Sequence, residues 1–176
     1  MKPVVLALCA ALALTACSRG DNADELFNGT GSGAALDAAA GQLSALPNPN
    51  GIDQNSIDFL NQVIGDRVLF EVDQSTLTPS ARQTLDLQAA WLIQRPGLSV
   101  TIEGHADEQG TRDYNLRLSQ RRAAAVRDYM VTKGLPDGRL SIIPFGKERP
   151  IEVCSNERCW SQNRRAVTVA AGSAGV

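Results

Sequence analysis

The chain has 176 residues, 43% of them hydrophobic and 20% charged, with a formal net charge of -2. That length fits one domain with additions, since domains cluster near roughly 100 to 150 residues. The acidic balance argues against a sequence-independent nucleic-acid binder, which needs a basic face to neutralise phosphates, and no apolar run reaches the roughly 20 residues of a permanent membrane span.

Residues 1–16 read as a signal peptide. Lys2 supplies a positive start and residues 4–14 an apolar stretch of the length a secretory signal uses. Leu14-Thr15-Ala16-Cys17 follows and resembles the lipobox of bacterial lipoproteins, which implies cleavage before Cys17 and its lipidation. The alternative is an ordinary signal cleaved near small residues, with Cys17 incidental. More than one acyl chain would anchor stably, at about 0.8 kcal/mol per buried methylene. Ser18 is not an aspartate, and by resemblance to lipoprotein sorting this favours the outer membrane, with the domain facing the periplasm. Residues 17–54 are rich in Gly, Ala, Asn, Ser and Pro and read as a lipidated flexible tether with too few large apolar side chains for a core. Its AALDAAAGQLSAL segment is a candidate to become helical against a partner.

Order is expected over residues 55–172, with 173–176 a tail. The segment IDFLNQVIGD suits a short helix or turn, and residues 67–72 (RVLFEV) a buried strand. Thr78-Pro79 is a helix start, with threonine as N-cap and proline at the first helical position. That helix carries Ala81, Leu85, Ala89 and Leu92 on one stripe and stops at Pro96-Gly97. Residues 98–103 form a strand closed by Gly104. A second helix runs from Arg112 or Asp113 to Gly134, with Tyr114, Leu118, Ala125, Val126 and Tyr129 on one face. Residues 140–144 are a third strand, 146–163 a long loop with a helical turn near Trp160, and 165–170 a last strand. The fold class is α/β, an α+β sandwich with helices on one face of a small mixed sheet.

The polar residues crowd between the second strand and the second helix. Arg122 falls inside the apolar stripe, one turn after Leu118 and one before Val126, with Asn115 on the same side. A buried cation without a partner costs several kcal/mol, so Arg122 should face an anion. Asp107 and Glu108 follow the strand where Gly104 and Gly110 let the chain turn. One reading makes Arg122 and Asp107 a structural clasp. The other makes them a slot, in which Arg122 grips a carboxylate and Asp107 an ammonium. His105 is the only histidine; with no second one, zinc is disfavoured and no metal is expected, and a lone histidine at a strand end suits a hydrogen-bonded scaffold role. Cys154 and Cys159, in a compartment that permits disulfides, are expected to form a bridge rather than stay as thiols, with a gain of roughly 2 to 3 kcal/mol at best.

EGHADEQGTRDYNLRLSQRRAAAV is similar to the signature of the OmpA-like peptidoglycan-binding domain, and the flanks FEVDQSTLTPSA, FGKERP and WSQNRRAVTV agree with it. The resemblance implies a βαβαββ domain that binds peptidoglycan noncovalently through the meso-diaminopimelate of its stem peptide, without a cofactor and without catalysis. It puts Asp107 and Arg122 on the gripping residues, Asn115 and Leu118 on neighbouring pocket positions, and Phe70, Glu71 and Asp73 on the first-strand segment beside the pocket. Glu71 stands where aspartate is commoner, so a backbone contact is the part of its role expected to survive. Lipobox and tether together resemble the lipoproteins of the Tol system, which implies TolB and other Tol proteins as partners, and roles in envelope integrity and cell division. Alternatives are an OmpA-like lipoprotein outside that system and, from another class, an envelope peptidoglycan hydrolase.

Overall fold

The computed structural model describes residues 31–172, with side chains from Ala38 onward. The expected signal peptide, Cys17 and the tail 173–176 lie outside the described residues. Part of the expected tether is a helix, α1 (Gly31–Ala45). It packs on a later helix, and Ala39 and Leu43, one turn apart, join the core. Alanine has the highest helix propensity of any residue, and its small side chain lets a helix lie close to a neighbour, so a composition that resembles a linker here builds part of the domain.

After α2 (Ile57–Phe59), capped by the Ser56 hydroxyl, the chain makes a π-helical turn, Leu60–Gly65, that buries Phe59 and Leu60. Strand β1 (Arg67–Leu69) is shorter than expected. The Phe70 N–H still reaches the Arg164 carbonyl at 2.8 Å, but then Asp73 adopts a left-handed φ of 57° and the chain turns out of the sheet. Helix α3 (Pro79–Ile93) starts where Thr78 accepts the Ala81 N–H, with Pro79 at the first position. Then come β2 (Leu98–His105), α4 (Arg112–Thr132), a 3-10 turn (Asp137–Arg139) and β3 (Leu140–Gly146). The region expected as a long loop holds a two-turn helix, α5 (Glu157–Asn163), capped by Asn156, and β4 (Arg165–Gly172) ends the fold.

The strand order is β1-β4-β2-β3, with β2 and β3 parallel and β4 antiparallel to both β1 and β2. Helices α3 and α4 cover one face, where Val100, Ile102, Ala166 and Ala170 meet Leu85, Trp91, Val126 and Met130. Buried polar groups in this layer are paired, as desolvation requires. Gln88 donates to the Gly65 carbonyl at 2.6 Å and accepts the Thr168 hydroxyl at 2.7 Å, tying α3 to the turn before β1 and to β4. Arg139 donates to the carbonyls of Leu92, Arg95 and Leu98, closing the end of α3.

Where β2 meets α4, Gly104 has no side chain because there is no room for one: a Cβ there would lie 2.0 Å from the Ser119 carbonyl oxygen. Ser119 in turn accepts the Gly146 N–H at 2.9 Å, so α4 is pinned to the ends of both parallel strands. Gly104→Ala sets backbone against backbone, and we expect it to cost about 3 kcal/mol or more, the upper end of overpacking effects. Urea unfolding measures this.

Among the described residues no helix covers the other sheet face, and Leu69, Ile143 and Val169 are exposed on it. His105 lies on this side, 1% exposed, stacked on Phe145 with ring centroids 5.4 Å apart. Among the described residues neither ring nitrogen has a hydrogen-bond partner, and the Glu103 carboxylate at 3.6 Å is too far to be one. The expected hydrogen-bonded imidazole is therefore a buried neutral ring. Burial, then the guanidinium groups of Arg165, Arg149 and Arg67, push its pKa down to about 3. The unfolded chain, with histidine near 6.5, binds a proton that the folded chain refuses, so stability falls as pH drops from about 6.5 towards 3. Between pH 8 and pH 5 we expect His105→Leu to remove on the order of 1 to 2 kcal/mol of the parent's loss, read from urea midpoints at the two pH values.

Candidate functional site

Two loops converge beside the end of β2. Residues 70–78 connect β1 to α3, and residues 106–111 connect β2 to α4. Between them and the first two turns and more of α4 lies a cleft of about 180 Å³. Val72 and Asp73 come from the first loop, Asp107, Gln109 and Gly110 from the second, and Tyr114, Asn115, Leu118 and Arg122 from the helix. The helix supplies its members at positions 114, 115, 118 and 122 because residues three and four apart share a side.

Arg122 is fully buried. Its Nε donates to the Gln74 carbonyl at 2.8 Å, and its terminal nitrogens to the carbonyls of His105 at 2.9 Å and Glu71 at 3.1 Å. The guanidinium also sits 5.2 Å from the Phe70 ring. Among the described residues, no carboxylate comes within ion-pair distance of it. A guanidinium has five N–H groups; carbonyls take three, leaving two on the terminal nitrogens beside the cleft. Burial lowers its pKa to about 10, opposed by the charge of Asp107, so it remains a cation at neutral pH.

Asp107 lies across the cleft from it, 7% exposed. One carboxylate oxygen accepts the Gln109 N–H at 3.2 Å, and the other accepts from Arg164 at 3.2 Å. The direct clasp of Arg122 with Asp107 is therefore absent, and Asp107 pairs with an arginine from the end of α5. Asn115 is a brace: its amide donates to the carbonyls of Asp107 at 3.3 Å and Gln109 at 2.7 Å, fixing the loop's shape. Leu118 supplies an apolar wall.

The first-strand segment divides. Phe70 is a core residue beneath Arg122, and Glu71 contributes its carbonyl while its side chain points elsewhere. Both line a larger, separate cavity of about 400 Å³ between β1, α3 and α5, which contains neither Asp107 nor Arg122. Asp73 does line the smaller cleft, and its carboxylate accepts the Tyr114 hydroxyl. Tyr114, placed by helical spacing on the apolar stripe, is instead 37% exposed at the cleft rim. Glu108 faces outward, where it accepts the Trp160 indole N–H at 3.0 Å, and His105 points to the opposite sheet face. Cys154 and Cys159 form a disulfide closing the loop that leads into α5.

Residues that spacing did not identify are Arg164, Tyr114, Gln109 and Val72. Arg164 had a signal: two adjacent arginines opening an apolar strand place one on each side of the sheet margin, where one of them must be buried and paired. Chemically, the cleft offers a cation with two free donors and an anion with spare acceptor capacity, separated by polar and apolar walls. That chemistry is complementary to a small zwitterion, with a carboxylate at one end and an ammonium at the other.

The profile of the OmpA family matches residues 69–165, which contain both loops and all of α4. Peptidoglycan-associated lipoproteins are similar over nearly the whole chain: that of Brucella melitensis is 46% identical, covering 97% of this chain and 93% of that protein, and that of Rhizobium meliloti is 44% identical, covering 97% and 89%. The one from Pseudomonas aeruginosa is 37% identical, covering 93% of each. Among solved structures, the peptidoglycan-associated lipoprotein from Burkholderia pseudomallei superposes with a TM-score of 0.59 at 35% identity, covering 60% of this chain and 90% of that one. The chain belongs to the OmpA family, among its peptidoglycan-associated lipoproteins.

Proposed function

We propose that this protein is an outer-membrane lipoprotein that holds the envelope to the cell wall by binding peptidoglycan noncovalently in the cleft of Asp107 and Arg122. The ligand group is the meso-diaminopimelate of the stem peptide, whose carboxylate meets Arg122 and whose ammonium meets Asp107. The observation that carries this reading is the Arg122 guanidinium, fully buried, facing a cleft and supported by three carbonyls and the Phe70 ring rather than by a carboxylate. A buried cation left without an anion is costly, and an incoming carboxylate supplies what the fold withholds. The names of the relatives, peptidoglycan-associated lipoproteins, support peptidoglycan as the polymer to which that group belongs. Anchoring runs through lipid on Cys17, and the Tol proteins, TolB among them, are the partners. The hydrolase alternative would act through His105 or Glu108, and both point away from the cleft, Glu108 towards Trp160 and His105 towards Phe145.

Sacculus co-sedimentation tests the cleft. Asp107→Asn keeps the shape and removes the charge, and should weaken binding about 30-fold or more, since truncating one member of a buried charge pair costs about 2 to 5 kcal/mol. Arg122→Lys keeps the charge but loses the planar fork, and should weaken it comparably. Parent-like binding by both folded variants sinks the reading. For the anchor, Cys17→Ala should move the protein from the membrane to the soluble fraction and abolish labelling by a radioactive fatty acid; persistent labelling would refute the assignment.

A further inference from the structure

Arg164 stands between the cleft and a surface helix, and its bonds are unequally shared. The guanidinium is buried, 3% exposed. Its Nε donates to the Phe70 carbonyl at 3.2 Å. Both terminal nitrogens reach the Glu157 carboxylate, one to each oxygen, and only one of them also touches Asp107, at 3.2 Å. Fork-on-carboxylate pairing is the stronger geometry, so Glu157 is the main partner of Arg164 and Asp107 the lesser one. Two lone-pair positions of the Asp107 carboxylate are used, by Gln109 and Arg164, and roughly two remain.

Glu157 lies in the first turn of α5, inside the loop that the disulfide between Cys154 and Cys159 closes. None of residues 154–165 lines the cleft. The loop nevertheless touches the cleft loop at a second point, where Trp160 donates to Glu108. Asn163 holds the loop's other end, accepting the N–H groups of Ile151 and Glu152. The backbone that carries Glu157 is thus tied down at three points, while its side chain, 62% exposed, meets Arg164 from the solvent side.

Were Glu157 uncharged, the only anion among the described residues within reach of the buried Arg164 would be Asp107. The fork would close on Asp107, neutralise it and occupy the oxygens that face the cleft. We propose that Glu157 is a specificity-determining residue: by holding the Arg164 fork it leaves the Asp107 carboxylate available to a ligand ammonium group, and the disulfide-closed loop keeps Glu157 where it can do so. This rests on the reading that Asp107 receives an ammonium.

The test uses the full chain in detergent and two probes: a muropeptide tripeptide ending in meso-diaminopimelate with its side-chain amine free, and the same peptide with that amine acetylated. Titration calorimetry gives the affinity of each. The parent should prefer the free amine. Glu157→Gln should lower free-amine affinity about 5- to 10-fold and acetylated-peptide affinity less than about 2-fold, a loss of discrimination rather than of binding. Replacing both Cys154 and Cys159 by Ser should shift the ratio the same way by a smaller factor. A merely structural Glu157 would weaken both probes equally; that result, or a parent-like ratio in both variants, overturns the proposal. A parent with no preference for the free amine, or an Asp107→Asn variant that keeps it, would instead remove the underlying reading of Asp107 and this inference with it.

Discussion

The fold around the cleft depends on one cation satisfied by main-chain oxygens. Arg122 collects the carbonyls of Glu71 and Gln74 from one loop and of His105 from the end of β2. Those segments are about fifty residues apart in sequence in one case and seventeen in the other, so one side chain closes two loops that share no direct pairing of their own. Neutral carbonyls orient the guanidinium without cancelling its charge. A carboxylate partner would have satisfied the same donors and left nothing for a ligand. The cleft is therefore stabilised and kept electrostatically incomplete by the same three bonds.

Much of the domain was legible in the sequence, because its elements carry local signals strong enough to survive tertiary context. The Thr78-Pro79 start, the Pro96-Gly97 stop and the alternation in LSVTIE each place an element within a few residues of where it is. Arg122 stood out for a physical reason, a charge on a buried stripe. What escaped were features decided by distant partners. β1 is short because Glu71 gives its carbonyl to α4, a contact no local pattern announces. Tyr114 has the spacing of a core residue, yet at the first turn of α4 that stripe overhangs the cleft rather than the sheet. The reach of Arg164 into the cleft was hidden because Asp107 lies 57 positions away.

α1 is the instructive error. Its alanines and glycines have the composition of a linker, and composition alone cannot distinguish a chain that avoids packing from one that packs through small contacts. Ala39 and Leu43 join the core where α1 packs on α3, and side chains as small as alanine let two helices pack closely. The core consequently extends beyond the segment matched by the family profile, 69–165, and the domain begins earlier than its signature.

That earlier beginning sets a length. If Cys17 carries lipid, as proposed above, the chain separating that residue from the first described helix ends at Gly31 instead of near residue 54. The shorter leash is about 14 peptide units and spans at most about 50 Å, where the longer one would have spanned about 130 Å. On the proposed function, contour length would cap how far the wall can stand from the membrane. Packing α1 onto α3 thus turns a loose rope into a short ruler, and fraying that one helix would be the way to let the rope out.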